Sequence, residues 1–130
     1  MIYSSFIELD RRALQKNIRY LRKRIGAARF CSVIKGDAYG HGIRYFLPLA
    51  EACGVNYFAV GEAREAKWAL KVKRSDTHIM IMAMIANEDL EWAIENDFSF
   101  FVFELDRLHH AIEAAKKVGK PARIHIELET

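Results

Sequence analysis

Apolar residues along this chain follow two periods that take turns. Over residues 11–25, Leu14, Ile18, Leu21 and Ile25 recur at helical spacing on one face. Asp10 just before them is a good N-cap, and Gly26 just after them is a helix stop. Residues 30–34 then form a short apolar run of the kind that makes a buried strand. The couplet repeats. Helices are expected over 43–53, over 62–72 with Ala63, Ala66, Ala69 and Leu70 inward, and over 87–96 with Asn87 as cap and Leu90 and Ile94 inward. A last helix follows Asp106, with Leu108, Ile112, Ala115 and Val118 along its face, and stops at Gly119 and Pro121. Strands are expected over 57–60, 78–82, 99–103 and 123–128, and residues 6–9 have the pattern of one more short strand.

Short strands alternating with helices make a parallel sheet. The strand runs lack strict alternation, which suits strands covered on both faces. The fold class expected is α/β, a partial (β/α)8 TIM barrel with parallel strands alternating with helices. A whole barrel takes about 250 residues, so this length has room for roughly five of its eight strands. The alternative is a small open doubly wound domain. Residues 124–130 run along a strand pattern to Thr130, so residues 1–130 are expected to be the N-terminal portion of a longer barrel protein. Within the run at 30–34, alternation sets Cys31, Val33 and Lys35 on one side and Phe30, Ser32 and Ile34 on the other.

Composition narrows the function classes. At 52% hydrophobic the chain has ample material for a core, and its formal charge of +3 does not call for nucleic acid. The basic stretches Arg22-Lys23-Arg24 and 71–74 fall at helix ends, where they favour the dipole and stay solvated. Cys31 and Cys53 share no zinc spacing and are expected to be free thiols. His109 and His110 lie on a helix without metal-ligand spacing, and His78 and His125 are expected to be structural. Trp68 and Trp92 are expected to pack against neighbours on their helices, and Met80, Met82 and Met84 to be core. The longest apolar run, 79–86, is too short to span a membrane. No basic segment followed by an apolar one opens the chain, so a cytoplasmic location is expected.

One stretch carries chemistry. The apolar run at 30–34 ends in Lys35, and a loop with Gly36, Gly40 and Gly42 follows. Ligands of parallel α/β folds gather at the C-terminal ends of strands. A lysine there, backed by apolar residues, is a candidate for amine chemistry, because desolvation favours the neutral amine. The wording Ile34-Lys35-Gly36-Asp37-Ala38-Tyr39-Gly40-His41-Gly42 closely resembles the cofactor-lysine motif of the alanine racemase family, Val-Lys-Ala-Asn-Ala-Tyr-Gly-His-Gly. The resemblance extends to Ile7-Glu8-Leu9-Asp10, Ala13-Leu14, Asn17-Ile18, Ala59-Val60 and Glu62-Ala63. It ends in residues 125–130, which look like the start of that family's Asp-Thr-Gly-Met-x-Arg segment.

The resemblance implies a PLP-dependent amino-acid racemase, an isomerase that interconverts L- and D-alanine. In that family a barrel that binds pyridoxal 5'-phosphate (PLP) is joined to a C-terminal β-domain, and the enzyme is a homodimer. It assigns Lys35 as the catalytic residue, holding PLP as a Schiff base and serving as base on one face of the substrate. It assigns Lys35 and Tyr39 to cofactor binding, Tyr39 through its hydroxyl to the phosphate, and it assigns no metal. His41 takes a hydrogen-bonding role. The family's first strand joins the β-domain, so residues 6–9 are expected to lack their sheet. The family's second base, a tyrosine of the partner subunit, has no counterpart here, so this chain alone is expected to be inactive. Two departures touch specificity: Gly36 stands for the usual alanine and Asp37 for the usual asparagine. The charge of Asp37 keeps open a racemase of another, basic amino acid, and a non-catalytic PLP-binding barrel also remains open. Glu127 stands where many members carry a carbamylated lysine, two residues before the acidic position of Glu129. It either supplies that negative charge unmodified or pairs with a nearby cation.

Overall fold

A computed structural model of the chain describes residues 5–128 and 130. Asp10 opens the helical part as its position predicts. Its carboxylate accepts from the amides of Arg12 and Ala13 at 2.7 and 3.0 Å, and α1 runs Arg11–Ile25 to Gly26. The elements that follow are β1 (Ser32–Val33), α2 (Lys35–Tyr39), α3 (Ile43–Ala52), β2 (Tyr57–Val60), α4 (Ala63–Leu70), β3 (His78–Ile81), α5 (Asn87–Glu95), β4 (Ser99–Val102), α6 (Leu105–Val118) and β5 (Arg123–Ile126).

The five strands pair in parallel in the order β1-β2-β3-β4-β5. Sheet order therefore equals chain order. A doubly wound domain reverses direction at a switch point, and this sheet does not, so that alternative is excluded. A strand added always on the same side is the construction of a barrel, and the fold is a partial (β/α)8 barrel.

The strand period separates two faces. Phe58, Val60, Ile79, Ile81, Phe100 and Val102 point one way and are buried in the main core with Ile34, Leu47 and the inner faces of the helices. Tyr57, His78, Met80, Ser99 and His125 point the other way. On that face the Tyr57 hydroxyl donates to Met80 Sδ at 3.3 Å, and the Nε2 atoms of His78 and His125 lie 3.0 and 3.3 Å from Ser99 Oγ. Both histidines thus meet at one serine hydroxyl. Burial pushes the His78 imidazole below its ordinary 6.5, and Arg123, Arg29, His125 and Lys73 push the same way. An imidazole kept neutral in the fold but free to protonate when unfolded lowers stability as pH falls. Stability from this site is therefore expected to be whole above the unfolded value of 6.5 and to be lost as the pH drops from there towards the lowered folded value. Urea midpoints at about pH 8 and about pH 5 measure this. His78→Gln is expected to flatten the decline, and equal declines in variant and parent would place its source elsewhere.

Several expectations are corrected. Residues 5–10 form no strand, and Phe6 and Ile7 are exposed. No other segment among the described residues pairs with them. On α1 only Ile18 is buried, while Leu21 and Ile25 remain exposed, because α3 is the element beneath this helix. Asn87 does not cap α5. It is the first helical residue, and its side chain accepts from the Arg107 guanidinium. Asp106 does not cap α6, which begins one residue earlier after Glu104. The inward face of α6 carries Arg107, Ala111 and Ala114, and Ile112 is exposed. Small residues at the contact let α5 and α6 lie close, so the larger apolar side chains sit at its margin. Met84 lies beyond the end of β3 and is exposed. Trp92 packs edge-on against Phe98 with ring centres 5.2 Å apart, whereas Trp68 is part-exposed with Arg64 over its ring. Both cysteines are free, and burial pushes the Cys31 thiol up to about 11 against the opposing pull of Arg29. Among the described residues no helix is long and apolar enough to cross a membrane, and no cluster of potential metal ligands occurs.

Candidate functional site

Strand β1 stops early. The amide of Ile34 still donates to the Ala59 carbonyl at 2.7 Å, and Ile34 is fully buried. At Lys35 the chain leaves the sheet and winds the wrong way. Gly36, Asp37 and Ala38 have φ, ψ of 62, 42; 52, 50; and 56, 45, and Tyr39 has φ 53. This is one turn of left-handed helix in which only the first position is glycine. Each of the other three costs about 1–2 kcal/mol relative to the right-handed form, so the surroundings must hold it.

They hold it by hydrogen bonds. The Ala38 amide donates to the Ile34 carbonyl at 2.8 Å, that of Gly40 to Gly36 at 3.0 Å, and that of Gly42 to Asp37 at 2.8 Å. His41 lies beside this turn with Nδ1 2.9 Å from the Ala38 carbonyl oxygen, consistent with the hydrogen-bonding role expected of it. The Asp37 carboxylate accepts from the Ile43 amide at 2.7 Å, at the start of α3. One of its two oxygens thereby ties the turn to α3. Gly42 is required where it stands: its φ is +83, and a Cβ there would come within 3.0 Å of the Tyr45 ring.

Lys35 and Tyr39 bracket the turn at the C-terminal end of β1. Both are exposed, Tyr39 to 63%. The bonds of the turn use Asp37, His41, Glu65 and backbone groups, and leave Lys35 Nζ and Tyr39 Oη free among the described residues. Lys35 runs past the end of β2: a Cβ on Gly61 would stand 3.5 Å from the Lys35 Cβ and 3.2 Å from Glu65 Oε2.

Glu65 was not singled out from sequence. It is buried at 6% exposure, its Oε1 accepts from the Asp37 amide at 3.0 Å, and its Oε2 accepts from the Gly61 amide at 2.7 Å. The available signal was position. Glu65 stands four residues before Ala69 on the inward stripe of α4, where a carboxylate needs a partner. Glu127 is exposed just past β5, with its amide donating to the Val102 carbonyl at 3.0 Å, and Glu129 lies outside the described residues.

Residues 9–130 match the alanine racemase N-terminal domain family. The chain belongs to that family. Alanine racemase 1 of Caldanaerobacter subterraneus subsp. tengcongensis is 31% identical over 125 residues, covering 95% of this chain and 32% of that protein. A broad specificity amino-acid racemase of Pseudomonas putida is 32% identical over 124 residues, covering 95% and 30%. Among solved structures, the alanine racemase of Streptomyces coelicolor A3(2) superposes with a TM-score of 0.82 at 28% identity, over 92% of this chain and 32% of that one. The chain spans about a third of the length of the relatives it matches. Its racemase-family fold is thus the partial barrel described above, with the left-handed turn at its strand-end edge.

Proposed function

We propose that residues 1–130 form the N-terminal portion of a PLP-binding barrel domain in an amino-acid racemase, with alanine as substrate. The carrying observation is the placement of Lys35. It is a free amine at the C-terminal end of a parallel strand, on a turn whose wording matches the family's lysine motif.

The residues present fit pyridoxal 5'-phosphate. Lys35 offers an unpaired amine and Tyr39 an exposed phenol on the same turn, and no internal bond among the described residues consumes either. When bound, PLP acts as an electron sink that makes the Cα proton of an attached amino acid acidic. Lys35 Nζ would hold the cofactor, and as a free amine it would serve as the base on one face of the substrate. The Tyr39 hydroxyl would donate a hydrogen bond to the cofactor's phosphate. The Asp37 carboxylate accepts from the Ile43 amide at the start of α3, which gives it a structural part in the turn. The broad specificity racemases among the relatives support a second reading, in which other amino acids are also accepted. The complete protein is a cytoplasmic homodimer, with a C-terminal β-domain supplying the second base. This chain alone does not racemise.

The test is covalent trapping. PLP is added to the chain, borohydride fixes any lysine adduct, and peptide mapping locates it. The expected result is an absorbance band with the label on the peptide carrying Lys35, both lost in Lys35→Ala. Label spread over surface lysines, undiminished in Lys35→Ala, would overturn the proposal.

A further inference from the structure

A single buried carboxylate joins the ends of the first two strands. Glu65 lies in the first turn of α4, where the helix N-terminus favours negative charge. Its two oxygens go to different loops: Oε1 to the Asp37 amide in the left-handed turn, and Oε2 to the Gly61 amide that follows β2. A buried carboxylate is costly unless such donors satisfy it. The Asp37 amide that Glu65 accepts from belongs to a residue at a positive φ of 52, inside the left-handed turn. Gly61 completes the arrangement: a Cβ there would crowd Glu65 Oε2 at 3.2 Å and meet the Lys35 Cβ at an ordinary 3.5 Å.

We infer that Glu65 is a positioning residue: by clamping the Asp37 and Gly61 amides it holds the Lys35–Tyr39 turn against the end of β2 and so sets the direction in which Lys35 is offered. This rests on the proposal that Lys35 carries the cofactor. Glu65 touches neither reacting atom nor substrate. Its effect passes through the backbone of the turn, and it deepens the lysine's role rather than adding a second chemistry.

Glu65→Gln is the informative variant. It keeps the size of the side chain but has one acceptor oxygen, so its amino group must face one of the two donor amides. By NMR hydrogen exchange, the Asp37 and Gly61 amides are expected to exchange about tenfold or more faster than in the parent, while the β2–β3 ladder amides keep their rates. The strong intraresidue amide-to-Hα contact that marks positive φ at Asp37 is expected to weaken. The yield of PLP trapped at Lys35 is expected to fall about tenfold. Unchanged exchange at Asp37 and Gly61, or uniform acceleration of every amide, would overturn the inference. So would a loosened turn with trapping at Lys35 unchanged. If Glu65→Gln does not fold, a scalar coupling across the hydrogen bond from the Asp37 amide to the Glu65 carboxylate in the parent chain decides whether the clamp exists. The exchange and coupling arms use no cofactor. A parent chain that traps no PLP at Lys35 would therefore sink the functional proposal, while these arms still report on Glu65.

Discussion

Phe58→Ala is expected to remove about 3–5 kcal/mol of folding stability, a large part of the roughly 5–15 kcal/mol typical of a domain. Phe58 is fully buried on β2, the only strand buried at every position among the described residues. It stands in register with Ser32 of β1 and Ile79 of β3, so it lies where the first three strands meet the helix layer. Alanine there leaves a cavity that neighbours on both sides are too constrained to fill. The urea midpoint should fall with little change in slope. Tyr45→Ala, at an exposed ring, is expected to stay within about 0.5 kcal/mol of the parent. Similar losses at the two sites would mean that the core does not sit between sheet and helices.

The second large effect is expected at Ala38. It is buried at 4% exposure and has φ 56, a combination that leaves no room for a branched side chain. Valine adds steric strain in the left-handed region and overpacks the contact beneath the turn, together about 2–4 kcal/mol. Glycine removes the backbone strain and loses only one buried methyl, so Ala38→Gly should lie near the parent. Denaturation curves of both variants, with PLP trapping at Lys35, separate the effects. Ala38→Val should be destabilised and trap poorly, while Ala38→Gly should keep the fold. A valine variant as stable as the parent would contradict a left-handed turn at this position.

Much of the architecture was legible because local chemistry and tertiary packing agree. Asp10 and Gly26 bounded the first helix at both ends, since a cap and a stop act within the chain itself. The strand at 57–60 was read to the residue because it is apolar throughout and buried throughout. Where packing decides, the pattern misled. The inward face of α6 turned on how closely α5 approaches, and the larger Ile112 lost its place to Ala111 and Ala114. The asparagine at 87 looks like a cap until Arg107 claims its side chain. At the site, the lysine motif was plain in the wording, but its shape was not. Only Gly36 announces positive φ among its four positions, and the partner that holds the Asp37 amide, Glu65, lies 28 residues along the chain. Glu65 was hidden for the same reason: its two partners are backbone amides, which no sequence pattern displays.

The strand order has a consequence for synthesis. Among the described residues, each strand pairs with those immediately before and after it in the chain. Each helix and strand emerging from a ribosome therefore finds its docking surface already made, and no earlier loop has to open to admit a later segment. Contacts between near neighbours in sequence also favour fast folding. The lysine turn and the carboxylate that clamps it are both complete by Leu70. The geometry around Lys35 is thus set while the strands on the far side of the sheet are still unmade.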